Sequence, residues 1–404
     1  MVERRSIDIS AAPRLRLLVL QPTPFCNIDC SYCYLSNRRS SARMTLETFA
    51  LVCRRVFESS FLDRRLTMAW HGGEPLAVPI AWYRDAIAIM EEQRPAALEV
   101  THRFQTNGLP LNEAWARFFA QTGARIGLSI DGPPDLHDAN RRTRRGLGTH
   151  HAAMRAVRLL QDHDLDFRVI TVLTEPSLEE PDRLFDFYVR NGIKEVGFNI
   201  EEIEGAHATS SLARAGVEAK FWRFIRRFFE LAWRSPGLLK VRELETALGH
   251  LLADDPVWDE QNKPFAVVSV SHDGAISTFS PELLDAHHPR FGRFAFGNVA
   301  TERLCDIEHS SLFQQVSREI QAGIEACERS CPYFRWCGGG APANKLFETG
   351  RFDASETMHC RMTRQIVLEE ALSGLEGASN VHELNALSLS SRLEPKVDCM
   401  ELVS

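Results

Sequence analysis

The chain has 404 residues, 44% of them hydrophobic and 25% charged, with a net charge of −7 and a pI near 6.1. That is the balance of a folded globular protein of two or three domains, and it excludes a disordered or fibrous chain. An acidic chain whose basic runs "RRTRR" (141–145) and "RFIRRFF" (223–229) read as solvated faces argues against nucleic acid as a partner, and no stretch approaches the roughly 20 apolar residues of a membrane span.

The N-terminus mixes charges with one short apolar run, "LLVL", and is no signal peptide, so the expected compartment is the cytoplasm. Ten cysteines in a reducing compartment point to metal ligation or catalysis rather than to disulfides.

In chain order, "LRLLVLQP" (15–22) predicts a buried strand, and "LTMAWHGGEP" (66–75) a short strand ending in a glycine turn. Further strands are expected over 98–108, 124–132, 167–174 and 194–202. Between them, "TLETFALVCRRVFESSF" (45–61) and "HHAAMRAVRLLQDHD" (150–164) repeat apolar residues at three and four, as core-facing helices do. Six βα units over about 200 residues predict a parallel sheet with helices outside, a partial (β/α)6 TIM-like barrel of the α/β class. In such barrels chemistry sits at the strand C-termini. The barrel is assigned to 1–235, a helical bridge to 236–260, a small α+β domain to 261–375 and an irregular tail to 376–404. The third region opens on a hairpin, "FAVVSVSHDGAISTF", with "DG" at its turn.

Directly after the first strand stands "FCNIDCSYCYL", with Cys26, Cys30 and Cys33 spaced C-x3-C-x2-C. Zinc sites favour C-x2-C pairs and four ligands. Three thiolates on one loop suit a [4Fe–4S] cluster with one iron left open, a position where a substrate can bind. Tyr32 adds an aromatic wall.

This C-x3-C-x-aromatic-C loop resembles that of the radical S-adenosylmethionine (SAM) superfamily. The resemblance implies that the open iron chelates SAM and that cleavage of SAM yields a 5′-deoxyadenosyl radical. "HGGEP" (71–75) matches the family's glycine–glutamate motif. It implies that Gly72 and Gly73 let the backbone approach the ligand and that Glu74 accepts from the methionine amine. Asn107 in "QTNG" and Ser129 in "SIDG" are expected to line the SAM pocket, and Arg155 or Arg168 to neutralise its carboxylate.

A second set, Cys327, Cys331, Cys337 and Cys360, has the spacing C-x3-C-x5-C-x22-C, enough to ligate an auxiliary cluster fully. Zinc is the alternative for four thiolates. The segment resembles the SPASM domain of peptide-modifying radical SAM enzymes, but Phe279–Ser280 and Ala341 stand where that family often has ligands of a further cluster. Two clusters are therefore expected in all, with Cys53, Cys305 and Cys399 outside them.

"FNIEEIEG", "STFSPELL", "FGN" and "YFRWCGGGAPANK" are similar to the cyclophane-forming, GrrM-type branch. That resemblance implies a ribosomally made precursor peptide, a carbon–carbon crosslink between an aromatic ring and the Cβ of a nearby residue, and a low-potential electron donor such as ferredoxin or flavodoxin. Glu201, Glu202 and Glu282 are the candidate catalytic carboxylates. A sulfatase maturase making formylglycine is the second reading, and a non-catalytic Fe–S or zinc scaffold the third.

Overall fold

The computed structural model describes residues 14–253 and 256–377. The tail expected at 376–404, including Cys399, lies outside the described residues from 378 onward. The chain opens with six strands, β1 Leu15–Leu20, β2 Leu62–Trp70, β3 Glu99–Thr106, β4 Arg125–Ser129, β5 Phe167–Leu173 and β6 Glu195–Ile200. They pair in sequence order and all in parallel. Their connections carry α1 Leu46–Phe57, α2 Ile80–Gln93, α3 Glu113–Thr122, α4 Pro134–Asn140, α5 His150–Asp162 and α6 Pro181–Arg190.

Burial on both faces is why β1 reads as a near-continuous leucine run. Leu17, Val19 and Ala69 point to the inner face with Val267, while Leu18, Leu20, Met68 and Trp70 pack outward under the helices. Outside β2 and β3 the contact is aromatic: Trp70, Tyr83, Phe104 and Trp115 meet with ring centroids 5.1–6.3 Å apart, mostly edge to face. Helix starts follow local chemistry. Thr45 caps α1 through Thr48 N, and Asn112 caps α3 through Ala114 N and Trp115 N.

Beyond the barrel come α7 Val217–Arg234, β7 Lys240–Val241, α8 Arg242–Leu252, β8 Val267–Val270 and β9 Ala275–Thr278. The sheet runs through the expected boundary at 261. β8 pairs in parallel with β1, from Leu17↔Val267 to Leu20↔Val270, and β9 turns back on β8 as the expected hairpin. The small strands β10 His287–His288 and β11 Gly292–Arg293 pair together, and β12 Gly297–Asn298 closes the sheet edge on β9. The remaining helices are α9 Leu304–Ile307, α10 Ser311–Ser330, α11 Phe334–Cys337, α12 Pro342–Thr349, α13 Met358–Cys360 and α14 Val367–Gly377. The hairpin thus hangs the C-terminal region on the first barrel strand, and α14 packs back on α7 and α8.

Among the described residues no helix is long and apolar enough to cross a membrane.

Candidate active site

The loop after β1 carries Cys26, Cys30 and Cys33, with Cys26 and Cys30 each only 9% exposed. It is stitched to the segment after α4: Asp29 N donates to Arg142 O at 2.7 Å and Ser31 N to Asn140 O at 3.1 Å. Two guanidiniums hold its carbonyls, Arg38 at Cys30 O (3.0 Å) and Arg144 at Cys26 O (2.6 Å). Burial above all, with the neighbouring Glu74 charge and the other thiols, pushes Cys26 up to about 12. Burial does the same to Cys30, although Arg141 opposes it. Cys26 and Cys30, raised in this way with Cys33 beside them, are costly to ionise unless a cation takes the charge.

Arg141 is the surprise of this loop. Read as part of a solvated basic run, it is buried, with its Nε 3.0 Å from Asp131, its Nη1 4.0 Å from Cys30 Sγ, and its guanidinium 5.4 Å from the Tyr32 ring. Asp131 also accepts from Tyr32 Oη at 2.5 Å and from Val172 N at 3.0 Å. Its neighbour Arg144 lies over Phe25, 4.8 Å from the ring centroid. The run directly follows α4, in the connection that leaves the C-terminal end of β4, and that place in the βα order was the signal that it faces the site.

Gly72 and Gly73 have φ of 83° and 60°, and a Cβ on Gly73 would stand 2.4 Å from Phe25 O. The glycines allow two loops, rather than only a ligand, to approach. Glu74 differs from expectation in the same sense. Its Oε1 accepts from Thr106 Oγ1 (2.6 Å) and Leu76 N (2.9 Å), and its Oε2 from Asn107 N (2.8 Å), so it clasps the end of β3. Burial still raises this carboxyl to about 7 against those bonds. Asn107 reaches the cysteine loop, donating to Asn27 Oδ1 at 2.7 Å, 3.8 Å from Cys26 Sγ.

Ser129 ends β4 and accepts from Gln105 Nε2 at 2.9 Å. The other end of that amide, Gln105 Oε1, is buried without a partner, as is Gln21 Oε1 beside Gly72. Buried acceptors left open around a cysteine loop fit a ligand that brings its own donors. The two expected arginines do not join them. Arg155 is exposed on α5. Arg168 is the second residue of β5, at the strand's N-terminal end, 3.5 Å from Glu195, whereas the site lies at the C-terminal ends.

After β6 the acidic run divides. Glu201 is taken up by its own loop, accepting from Ser211 N at 2.8 Å, Ser211 Oγ and His207 Nε2 at 3.2 Å. Glu202 and Glu204 hydrogen-bond to each other, and Asn344 Nδ2 donates to both, at 2.5 and 3.1 Å. Burial first, then neighbouring carboxylates, raise Glu202 to about 7 and Glu204 well above its usual range. With Glu282 they line a cleft of about 850 Å³ between β6, α8 and the C-terminal helices. Glu204, passed over as a candidate, is thus the better member of the run than Glu201.

On the far side Cys327, Cys331, Cys337 and Cys360 line one cavity of about 400 Å³. Gly339 and Gly340 line it with φ of 108° and 71°. Lys345 Nζ is buried 3.4 Å from Cys327 Sγ. Among the described residues no three Cys, His, Asp or Glu groups converge as they would on a single ion. A cluster sets its thiolates apart, each on a different iron. Cys53 is fully buried in the core and Cys305 packs against it. Phe279, at φ 73°, stacks on Phe313 with centroids 5.9 Å apart, and Ser280 Oγ accepts from Ala343 N at 3.3 Å. Aromatic packing fills the place where a further cluster ligand was looked for.

A parallel βα barrel with three thiols on the loop after its first strand and open acceptors beside them belongs to the enzymes that mount a cofactor at the barrel mouth. The Radical SAM superfamily model matches residues 20–188. An uncharacterised protein of Synechocystis sp. is 40% identical over 377 residues, 92% of this chain and 95% of its own. The serine-type anaerobic sulfatase-maturating enzyme of Klebsiella aerogenes is 31% identical over 215 residues, about half of each chain. In three dimensions the anSMEcpe enzyme solved with AdoMet and the Cp18Cys peptide superposes with a TM-score of 0.72 at 19% identity, over 93% of this chain and 99% of its own. Residues 20–188 thus carry the Radical SAM match, and the chain is an enzyme of the kind that works with SAM and a [4Fe–4S] cluster.

Proposed function

We propose that this enzyme matures a ribosomally made precursor peptide by forming a carbon–carbon crosslink between an aromatic side chain and the Cβ of a nearby residue. Cys26, Cys30 and Cys33 would hold the SAM-binding cluster, and Cys327, Cys331, Cys337 and Cys360 an auxiliary one. When bound, the first cluster and SAM supply a 5′-deoxyadenosyl radical.

The observation that carries the reading is the position of the acidic cleft between the two thiol sets. At one end, Tyr34, which follows Cys33, is raised by burial and then by Glu282, Cys33 and Glu204. At the other, His359 and Trp336, the neighbours of Cys360 and Cys337, line the same cleft. Closing a C–C bond with loss of two hydrogens requires one hydrogen atom, one electron and one proton to leave the peptide. A chain lying in this cleft has a thiol set at either side and the Glu202–Glu204 pair beneath it to take the proton. The surplus electron would leave by way of the auxiliary set to a low-potential partner such as ferredoxin or flavodoxin in the cytoplasm.

Sulfatase maturation is the second reading, favoured by the Klebsiella relative. Against it stand Phe279 and Ser280, packed and hydrogen-bonded where that chemistry uses a cysteine and an aspartate. The test is anaerobic co-expression with the precursor encoded beside the gene, followed by mass spectrometry. Loss of two hydrogens per motif, with fragmentation blocked between the aromatic residue and its partner two positions on, supports crosslinking. An unchanged precursor together with conversion of a sulfatase peptide to formylglycine overturns it.

A further inference from the structure

The cleft at the acidic pair is lined by four carboxylates, Glu202, Glu204, Glu243 and Glu282, against two guanidiniums, Arg242 and Arg364. Glu202 and Glu204 pair with no lysine or arginine among the described residues; their partners are Asn344, each other, and His359 at 3.6 Å from Glu202. Arg242, on the same wall, already lies 2.6 Å from Glu243 and donates to Phe198 O and Asn199 Oδ1.

A second feature is independent of the carboxylates. Gln261 is 8% exposed and lines the cleft, and its Oε1 is buried without a hydrogen-bond partner. Glu243 Oε2, on the facing wall, is also buried and open. An unmatched buried acceptor costs on the order of 1–3 kcal/mol, and two of them in one cleft are places that a ligand's donors would satisfy. These two open acceptors call for donors, and four carboxylates against two guanidiniums leave an excess of negative charge. A guanidinium answers both, with five N–H groups in a planar fork and a charge that does not titrate.

We infer that this cleft seats a cationic side chain of the substrate peptide, arginine in the first place, with Glu202 and Glu204 on its charge and Gln261 on one N–H. This rests on the reading of the protein as a peptide-modifying enzyme, but not on which bond the enzyme makes. The cation then serves as an anchor that sets the register of the peptide between the two thiol sets.

The test uses reconstituted holoenzyme with SAM and three synthetic probes, Ac-Gly-Arg-Gly-NH2 and its lysine and citrulline counterparts, titrated calorimetrically under argon. Citrulline keeps the shape and most donors of arginine but has no charge. The expected result is arginine binding about tenfold or more tighter than citrulline, as a charge-assisted bond requires. Glu204→Gln should abolish that difference, and Gln261→Leu should weaken arginine severalfold with SAM cleavage retained. If Glu204→Gln fails to load its clusters, Gln261→Leu carries the decision alone. Equal binding of arginine and citrulline, or no effect of Gln261→Leu, overturns the inference. A precursor crosslinked at equal rates with arginine or citrulline sinks the anchor and leaves the proposed function standing. Arginine selectivity without any crosslink does the reverse.

Discussion

Replacing Arg141 with methionine removes a buried cation and keeps most of its volume. The residue left behind is Asp131, 3% exposed, whose charge then has no guanidinium. Removing one member of a buried ion pair costs about 3–5 kcal/mol. Asp131 keeps two donors, Tyr32 Oη at 2.5 Å and Val172 N at 3.0 Å, so the loss should fall near the lower end, about 3 kcal/mol. An unfolding entropy of about 2.1 cal/mol/K per residue gives about 0.85 kcal/mol/K for 404 residues, and hence a Tm drop of about 3–4 °C in the apoprotein. The double variant Arg141→Met/Asp131→Asn removes the orphaned charge and should recover at least half of that drop. The assay is anaerobic differential scanning calorimetry of the four proteins of the cycle, with iron per chain measured after reconstitution. A single-variant drop below about 1 °C, or a double variant lower still, would show that the pair is not what holds this segment.

Other outcomes follow from single contacts. Gly73→Ala would place a Cβ 2.4 Å from Phe25 O at φ 60°, so the cysteine loop must shift and reconstituted iron should fall to that of the C-terminal set alone. Lys345→Met removes a buried ammonium 3.4 Å from Cys327 Sγ. The auxiliary cluster should then titrate at a lower potential by EPR redox titration, and an unchanged potential would remove Lys345 from its surroundings. Glu74 is raised from 4.5 to about 7, so its ionisation counts against the folded state. The penalty is absent below about 4.5 and complete above about 7, and wild-type Tm should fall across that window more steeply than in Glu74→Gln. Parallel pH curves for the two proteins would contradict the burial argument.

What could be read from the chain alone was whatever carries a local period or a fixed spacing. The six parallel strands follow from leucine-rich runs and glycine ends, and the thiols of each set stand together as their spacing implied. What escaped was set by partners distant in the chain. Arg141 and Arg142 look alike in a basic run; one is buried against Asp131 and the other donates to Asp138 O on the surface. Arg168 sits in a strand that does reach the site, but at the wrong end, and strand direction in space decides that. Glu201 and Glu204 are interchangeable in composition. Ser211 and His207 claim the first, and Asn344, from a helix 140 residues on, claims the second. The same logic accounts for the sheet crossing the expected domain boundary. β8 is short and apolar enough to be any strand, and only its register on β1, Leu17↔Val267, makes it an extension of the barrel. That register ties the region that carries the second thiol set to the barrel by four pairs of backbone partners rather than by a flexible linker. The crosslinking proposed above passes an electron between the two thiol sets through one bound peptide and calls for that rigidity, which the edge of β1 provides.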